Sequence, residues 1–211
     1  MNAESCTTIY LIDDDDAFRR SLIFLLESVG WTVRDYDSAQ AFLDAHAAPP
    51  DDLGCLLLDI RMPMISGMHL QQRFKAQGWQ IPIIFITGHG DIELAVQAMK
   101  AGASDFLEKP FRDQALLDAV ALAVQRGAQQ RREQARREQA IAVLETLSPR
   151  EAEVARLLAR GHANKRAAQM LGISEKTIHI HRQRIMEKTA CANPTELARL
   201  LLLAEPELLD C

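Results

Sequence analysis

The 211-residue chain is 48% hydrophobic and 25% charged, a balance that suits packed domains and excludes a disordered polymer. Its net charge of −5 excludes a uniformly basic nucleic-acid coat, yet the charge is uneven: 10 Lys or Arg face 18 Asp or Glu in residues 1–126, 4 face 3 in 127–145, and 10 face 8 in 146–211. No apolar run approaches the roughly 18 residues of a membrane span, no secretion leader is legible, and Cys6, Cys55, Cys191 and Cys211 form neither a CxxC pair nor a zinc spacing.

A soluble protein of a reducing, cytoplasmic compartment is therefore expected, with Cys55 as a core filler. From residue 8 to about 125, short β-type apolar runs alternate with helical periodicity, the pattern of an α/β domain with a parallel sheet. Predicted strands are Ile9 to Ile12, Thr32 to Tyr36, Cys55 to Leu58, Ile83 to Ile86 and Ser104 to Leu107. Between them the sequence predicts helices from Ala17 to Val29, Ala39 to Ala45, Met68 to Ala76, Ile92 to Ala101 and Asp113 to Gln125. Gly30, Gly78 and Gly102 stand where helix C-caps need a left-handed residue.

Residues 126–145 are rich in Arg, Glu, Gln and Ala. They read as a solvated helical linker with i,i+4 charge pairs that extends the fifth helix, the competing reading being a nucleic-acid arm. Gly127 marks a point at which this helix can fray or kink. Ser148-Pro149-Arg150-Glu151 then supplies an N-cap, a first-turn proline and a capping-box glutamate, and opens a second domain over 146–211. Its predicted helices are Pro149 to Ala159, Asn164 to Leu171, Glu175 to Lys188 and Pro194 to Leu203, and no strand pattern follows residue 126.

Ligands of open parallel sheets bind beyond the carboxyl ends of the strands. Those ends carry Asp13-Asp14-Asp15-Asp16, Asp59, Thr87 and Lys109-Pro110. Clustered carboxylates repel one another unless a cation is present, and an all-oxygen set with few carboxylates suits magnesium. Asp59 is then placed as a nucleophile able to form an aspartyl phosphate, with Lys109 as counter-charge and Thr87 as hydroxyl donor.

The phrases Leu11-Ile12-Asp13-Asp14-Asp15, Leu58-Asp59-Ile60-Arg61-Met62-Pro63, Ser66-Gly67, Phe85-Ile86-Thr87-Gly88 and Phe106-Leu107-Glu108-Lys109-Pro110-Phe111 resemble the receiver domain of two-component response regulators. The run Ile86-Thr87-Gly88-His89-Gly90-Asp91, with Ala98-Met99-Lys100-Ala101-Gly102-Ala103, is similar to the FixJ subfamily. The resemblance implies a flavodoxin-like (CheY-like) receiver over 1–125 with a five-stranded parallel sheet. It implies magnesium (Mg2+) held by Asp13, Asp14, Asp59 and the Arg61 backbone carbonyl, Asp59 as phosphoacceptor, and Thr87 with Phe106 as a switch pair beside Lys109. Asp15 and Asp16 read as helix-capping or solvated acids, and a static core aromatic is the plain alternative for Phe106. The resemblance also sets Arg61 and His89 beside the pocket, where they would tune the lifetime of the phosphate.

The tail shows a helix closed by Leu171-Gly172-Ile173, a tight turn, and a Ser174-capped helix that displays Lys176, Thr177, His179, His181, Arg182, Gln183, Arg184 and Lys188. Ile178, Ile185 and Met186 give that helix a buried side. His179 and His181, two residues apart, point in different directions and do not form a metal pair. Leu147-Ser148-Pro149-Arg150-Glu151, Gly161-His162-Ala163-Asn164-Lys165 and Leu171-Gly172-Ile173-Ser174-Glu175-Lys176-Thr177-Ile178 resemble the four-helix LuxR-type helix-turn-helix of NarL and FixJ regulators. The resemblance sets His179, Ile180 and Gln183 toward bases, and Lys176, Thr177, Arg182, Arg184 and Lys188 toward phosphates. Ala163, Ala167, Thr189 and His179 depart from its usual Ser or Thr, Ile, Leu and Lys. The first removes a helix cap unless Asn164 substitutes, and Ala167 and Thr189 thin the core.

These expectations describe a phosphorylation-dependent transcriptional regulator. A sensor histidine kinase would phosphorylate Asp59, and the chain would dimerise and bind double-stranded promoter DNA, with RNA polymerase as a further partner and no membrane. The receiver would catalyse only its own phosphorylation and dephosphorylation. Competing readings are a phosphorylation-independent transcription factor that uses the receiver as a dimerisation scaffold, and an aspartyl-phosphate phosphohydrolase. Against the latter, Arg61 stands where a second acid/base aspartate would be needed, and no cap insertion interrupts the α/β repeat.

Overall fold

The computed structural model describes residues 7–88 and 92–209. The chain divides into two compact units, Met1–Gln130 and Arg131–Cys211. In the first, β1 (Thr8–Ile12), β2 (Thr32–Tyr36), β3 (Leu53–Asp59), β4 (Ile83–Thr87) and β5 (Asp105–Glu108) alternate with α1 (Asp16–Ser28), α2 (Ala39–Ala45), α3 (Gly67–Ala76), α4 (Ile92–Lys100) and the start of α5 (Asp113–Glu145). The sheet is wholly parallel in the order β2-β1-β3-β4-β5.

Every residue of β1, β3 and β4 is buried, as expected of strands covered on both faces. Period-two alternation splits their side chains into two cores. Tyr10, Ile12, Leu56, Leu58 and Phe85 pack with Phe42, Leu70 and Phe74 of α2 and α3. Ile9, Leu11, Cys55, Leu57, Ile84 and Ile86 pack with Leu22, Leu26, Leu116 and Val120 of α1 and α5. Cys55 is the core filler its apolar neighbours indicated, and burial pushes its thiol up to about 12. Cys6 and Cys211 lie outside the described residues.

Helix α5 runs unbroken for 33 residues, so the stretch read as a linker is the second half of one helix, and the division between the units falls inside it. Gly127 lies within it without ending it. The residue is buried, and a Cβ there would collide with the ring of Pro82, so glycine is present for close approach rather than for flexibility.

The second unit contains α6 (Pro149–Ala159), α7 (Asn164–Leu171), α8 (Glu175–Thr189), α9 (Pro194–Ala204) and a 3-10 turn at Pro206–Leu209. Val154, Ala155, Ala167, Ile178, Ile185 and Leu197 are fully buried in its core. The capping box at Ser148 and Glu151 is formed in both directions, and Ser174 and Asn193 cap α8 and α9. Ala163 caps α7 with no side-chain hydrogen bond, and Asn164 does not replace it. No helix among the described residues is long and apolar enough to cross a membrane.

Candidate functional site

The sheet order reverses between β1 and β3, and a crevice at such a switch point receives the carboxyl ends of both strands. Asp13 follows β1 and Asp59 ends β3, and their side chains are 2% and 9% exposed. Lys109, just beyond β5, reaches both: its Nζ lies 2.8 Å from Asp13 Oδ2 and 3.3 Å from Asp59 Oδ1. The Lys109 N–H donates to the Thr87 carbonyl at 2.7 Å, which ties the ends of β4 and β5 together beneath the pocket.

The remaining carboxylate oxygens are held by backbone donors. Asp13 Oδ1 accepts from the Asp15 N–H at 2.8 Å, and Asp59 Oδ2 from the Arg61 N–H at 2.6 Å. Two carboxylates thus share one ammonium, leaving one negative charge uncompensated at their contact. Burial pushes the Asp59 carboxyl above its usual range and the Asp13 charge adds to this, while Lys109 and the Arg61 N–H work against it. An all-oxygen donor set with excess negative charge fits a hard divalent cation.

Asp13 and Asp59 are the carboxylates placed to hold such an ion. Among the described residues no group of three or more His, Cys, Asp and Glu assembles as a cage. Asp14 is exposed and outside the Lys109 contacts, unlike Asp13. Asp15 caps α1, accepting from the Ala17 and Phe18 N–H groups, and Asp16 pairs with Arg19 and Arg20. Both have the local roles that the sequence indicated for them.

Thr87 is 1% exposed, and its buried Oγ1 finds no hydrogen-bond partner among the described residues, whereas buried hydroxyls are ordinarily satisfied. Phe106 is half-buried and pairs in register with Phe85, two residues before Thr87, so the hydroxyl and the ring share one sheet face. Gly67 opens α3 against β3, where a Cβ would collide with the Asp59 carbonyl. His89 lies outside the described residues.

Two contacts were not legible in the sequence. Lys109 Nζ stands 3.7 Å from the centroid of the Phe18 ring, and Arg19 Nη1 donates to the Asp13 carbonyl at 2.9 Å. The sole local signal was an aromatic and an arginine in the first turn of the helix that follows the acidic run.

In the second unit, α7 and α8 are joined through Gly172, whose φ of 65° makes the tight turn. Helix α8 buries Ile178, Ile185 and Thr189 and presents Lys176, His179, Ile180, Gln183 and Arg184 to solvent, with Thr177 and Arg182 half-buried. A shallow groove of about 470 Å³ runs past Lys176, His179, Ile180, Arg182 and Gln183 to the start of α9 at Pro194. Asn164 lies 3.2 Å from His179 Nε2, and Gln183 donates to Glu187.

Lys188 is placed differently from the sequence expectation. Its ammonium contacts buried Glu151 and the Thr146 carbonyl, so its charge is spent inside the unit rather than offered to a phosphate. His181 is half-buried, and its buried Nδ1 finds no hydrogen-bond partner among the described residues. Ala167 is fully buried, and Thr189 turns its hydroxyl back to the Ile185 carbonyl.

Comparison with known proteins covers both units. Residues 9–121 match the response regulator receiver domain family, and residues 145–201 match the bacterial regulatory proteins of the luxR family. The chain is 47% identical over 196 residues to the transcriptional regulatory protein FixJ of Azorhizobium caulinodans, spanning 93% of this chain and 92% of that protein. It is 43% identical to the response regulator protein TodT of Pseudomonas putida, over 94% of this chain and 86% of that one. Among solved structures it resembles the response regulator StyR, with a TM-score of 0.80 and 42% identity over 92% of this chain and 98% of that chain. Full-length FixJ from B. japonicum matches with a TM-score of 0.57 and 42% identity, covering 93% and 96%.

Proposed function

The chain belongs to the response regulators that join a receiver to a LuxR-type DNA-binding domain, a family of phosphorylation-dependent transcriptional regulators, and from that premise we propose that Asp59 is the phosphoacceptor. The observation that carries this reading is the convergence of Asp13, Asp59 and Lys109 at the switch point, beside a buried Thr87 hydroxyl that has no partner among the described residues.

A carboxylate oxygen of Asp59 attacks the phosphorus of a phosphohistidine on the partner kinase. The phosphorus–nitrogen bond breaks, and the imidazole nitrogen keeps the electron pair and takes a proton. Lys109 meets the charge carried onto the phosphoryl oxygens, and the Thr87 hydroxyl donates to one of them. Asp13, Asp59 and the Arg61 carbonyl are the groups that would hold magnesium, with exposed Asp14 at the rim. When bound, magnesium supplies neutralisation of the carboxylates and of the incoming phosphoryl group.

Thr87 then has a reason to move, and half-buried Phe106 lies on the same sheet face, which makes the pair a two-state element biased by a local charge. Dimerisation of the phosphorylated chain on paired DNA half-sites is the output we propose. His179, Ile180 and Gln183 read base edges, while Lys176, Thr177, Arg182 and Arg184 hold phosphates. The receiver turns over no substrate beyond its own phosphate; sustained magnesium-dependent hydrolysis of a small phosphate ester would instead support a phosphohydrolase.

Selection of DNA fragments at fixed salt, with and without a small acyl phosphate plus magnesium, tests the reading in wild type and Asp59→Asn. Phosphoryl donor should tighten binding to one sequence in wild type only. Equal selection under every condition would leave a DNA-binding protein in which the receiver is only a scaffold. Failure of both proteins to select any sequence would overturn the helix-turn-helix assignment.

A further inference from the structure

We propose that Phe18 is a positioning residue for the phosphoacceptor pocket: its ring holds the Lys109 ammonium across Asp13 and Asp59, and so sets how tightly the pocket takes a divalent cation. The inference rests on the reading of that pocket given above.

Three groups surround the Lys109 ammonium. Two are the carboxylates at 2.8 and 3.3 Å, and the third is the face of Phe18, whose centroid lies 3.7 Å from Nζ. The lysine side chain is only 22% exposed, so the attraction between ammonium and ring is not diluted as it is at an open surface. The ring is itself fixed. Its backbone N–H donates to the Asp15 cap at 3.1 Å, and its ring makes a T-shaped contact with that of Phe111, the centroids 6.1 Å apart and the planes at 77°. Phe18 also packs against the core shared by α1 and α5.

This arrangement gives the ammonium a preferred place that coincides with the needs of a metal ion. Asp13 Oδ1 accepts from the Asp15 N–H and Oδ2 from Lys109, so a cation that takes Oδ2 meets the ammonium there. Ammonium and divalent ion therefore compete for Asp13. A ring that steadies the ammonium weakens metal binding, and a side chain without a π face strengthens it. Once a phosphoryl group is on Asp59, the ammonium can leave Asp13 for that new charge without losing the ring.

The test is the affinity of the full-length chain for Mn2+, followed by the electron paramagnetic resonance signal of the free ion. The proteins are wild type, Phe18→Leu, Phe18→Trp, Lys109→Gln and Phe18→Leu/Lys109→Gln. Leucine keeps apolar bulk without the π face and should tighten Mn2+ binding roughly two- to twenty-fold; tryptophan, with a stronger π face, should weaken it. In the Lys109→Gln background the Phe18→Leu change should have no effect, which separates ring–ammonium attraction from a packing role. An equal Phe18→Leu effect with and without Lys109, or no effect in either, overturns the proposal while leaving the pocket's metal reading in place. Absence of Mn2+ binding in wild type and Lys109→Gln alike overturns both.

Discussion

Lys188 Nζ lies 2.7 Å from Glu151 Oε2 and 3.1 Å from the Thr146 carbonyl, so the last turn of α8 is fastened to the capping box that begins α6. The hydrogen bond from Lys188, with that from the Ser148 N–H, holds the Glu151 carboxyl at about 2, against an ordinary value of 4.5.

A carboxylate depressed in the folded state contributes stability above about pH 4.5, and that contribution is lost as pH falls toward 2. Glu151→Gln should therefore destabilise the second unit by about 1–2 kcal/mol at neutral pH and flatten its acid sensitivity over that window. Urea unfolding of the full chain at a series of pH values, followed by helix content, checks both. An acid profile identical to wild type would remove Glu151 from this role.

Asp59 and Thr87 should show the opposite relation between stability and function. Asp59 has its carboxyl raised by burial and by Asp13, so above its ordinary range the charged group opposes folding, and that opposition fades as pH drops. Asp59→Asn should melt at higher temperature than wild type at neutral pH. Thr87→Val removes a buried hydroxyl that has no partner among the described residues and should be neutral or stabilising by up to about 1 kcal/mol. Both variants should lose the phosphate-dependent gain in DNA affinity; Thr87→Val that retained the full gain would take the hydroxyl out of the switch.

Among the described residues, two other than glycine hold left-handed backbone: Met64 at φ 64° and Ala190 at φ 54°. A Cβ costs about 1 kcal/mol or more in that region. Ala190, at the C-cap of α8, and Met64, 92% exposed, give up little packing on substitution. Ala190→Gly and Met64→Asn should each raise stability by roughly 0.5–1 kcal/mol in calorimetry. A loss of stability in either would mean that its side chain makes a contact worth more than the strain.

Gly127→Ala should reverse the usual helix rule. In an ordinary helix the change gains about 1 kcal/mol. Here the added Cβ meets the Pro82 ring, and overpacking of about 1–3 kcal/mol outweighs the gain. A lower melting temperature with unchanged helix content is the expected result, and a higher one would show that Pro82 yields freely.

Much of the fold follows from local rules. Near-continuous apolar runs at β1, β3 and β4 specify strands buried on both faces, and Ser148, Ser174 and Asn193 specify helix starts because each side chain answers a backbone N–H three residues on. The acidic run, Asp59, Thr87 and Lys109 were also legible as strand-end residues, since parallel sheets expose their chemistry at those ends.

What local pattern could not settle is which charges meet. Lys109 and Asp13 are 96 residues apart, and only the strand order β2-β1-β3-β4-β5 brings them within 2.8 Å. Asp13 and Asp14 are the same residue type side by side, yet one is buried in the pocket and the other exposed. Lys188 reads in isolation as one more cation on a DNA-facing helix, but packing against α6 commits it to Glu151. Gly127 reads as a weak point, and instead lies so close to the Pro82 ring that a Cβ there would collide with it. The sequence by itself determined the elements, their ends and the kinds of groups they carry, because periodicity and caps act within a few residues. Tertiary structure alone decided the partners, because an ion pair, a ring beneath an ammonium or a close backbone approach depends on distances set by the packed whole.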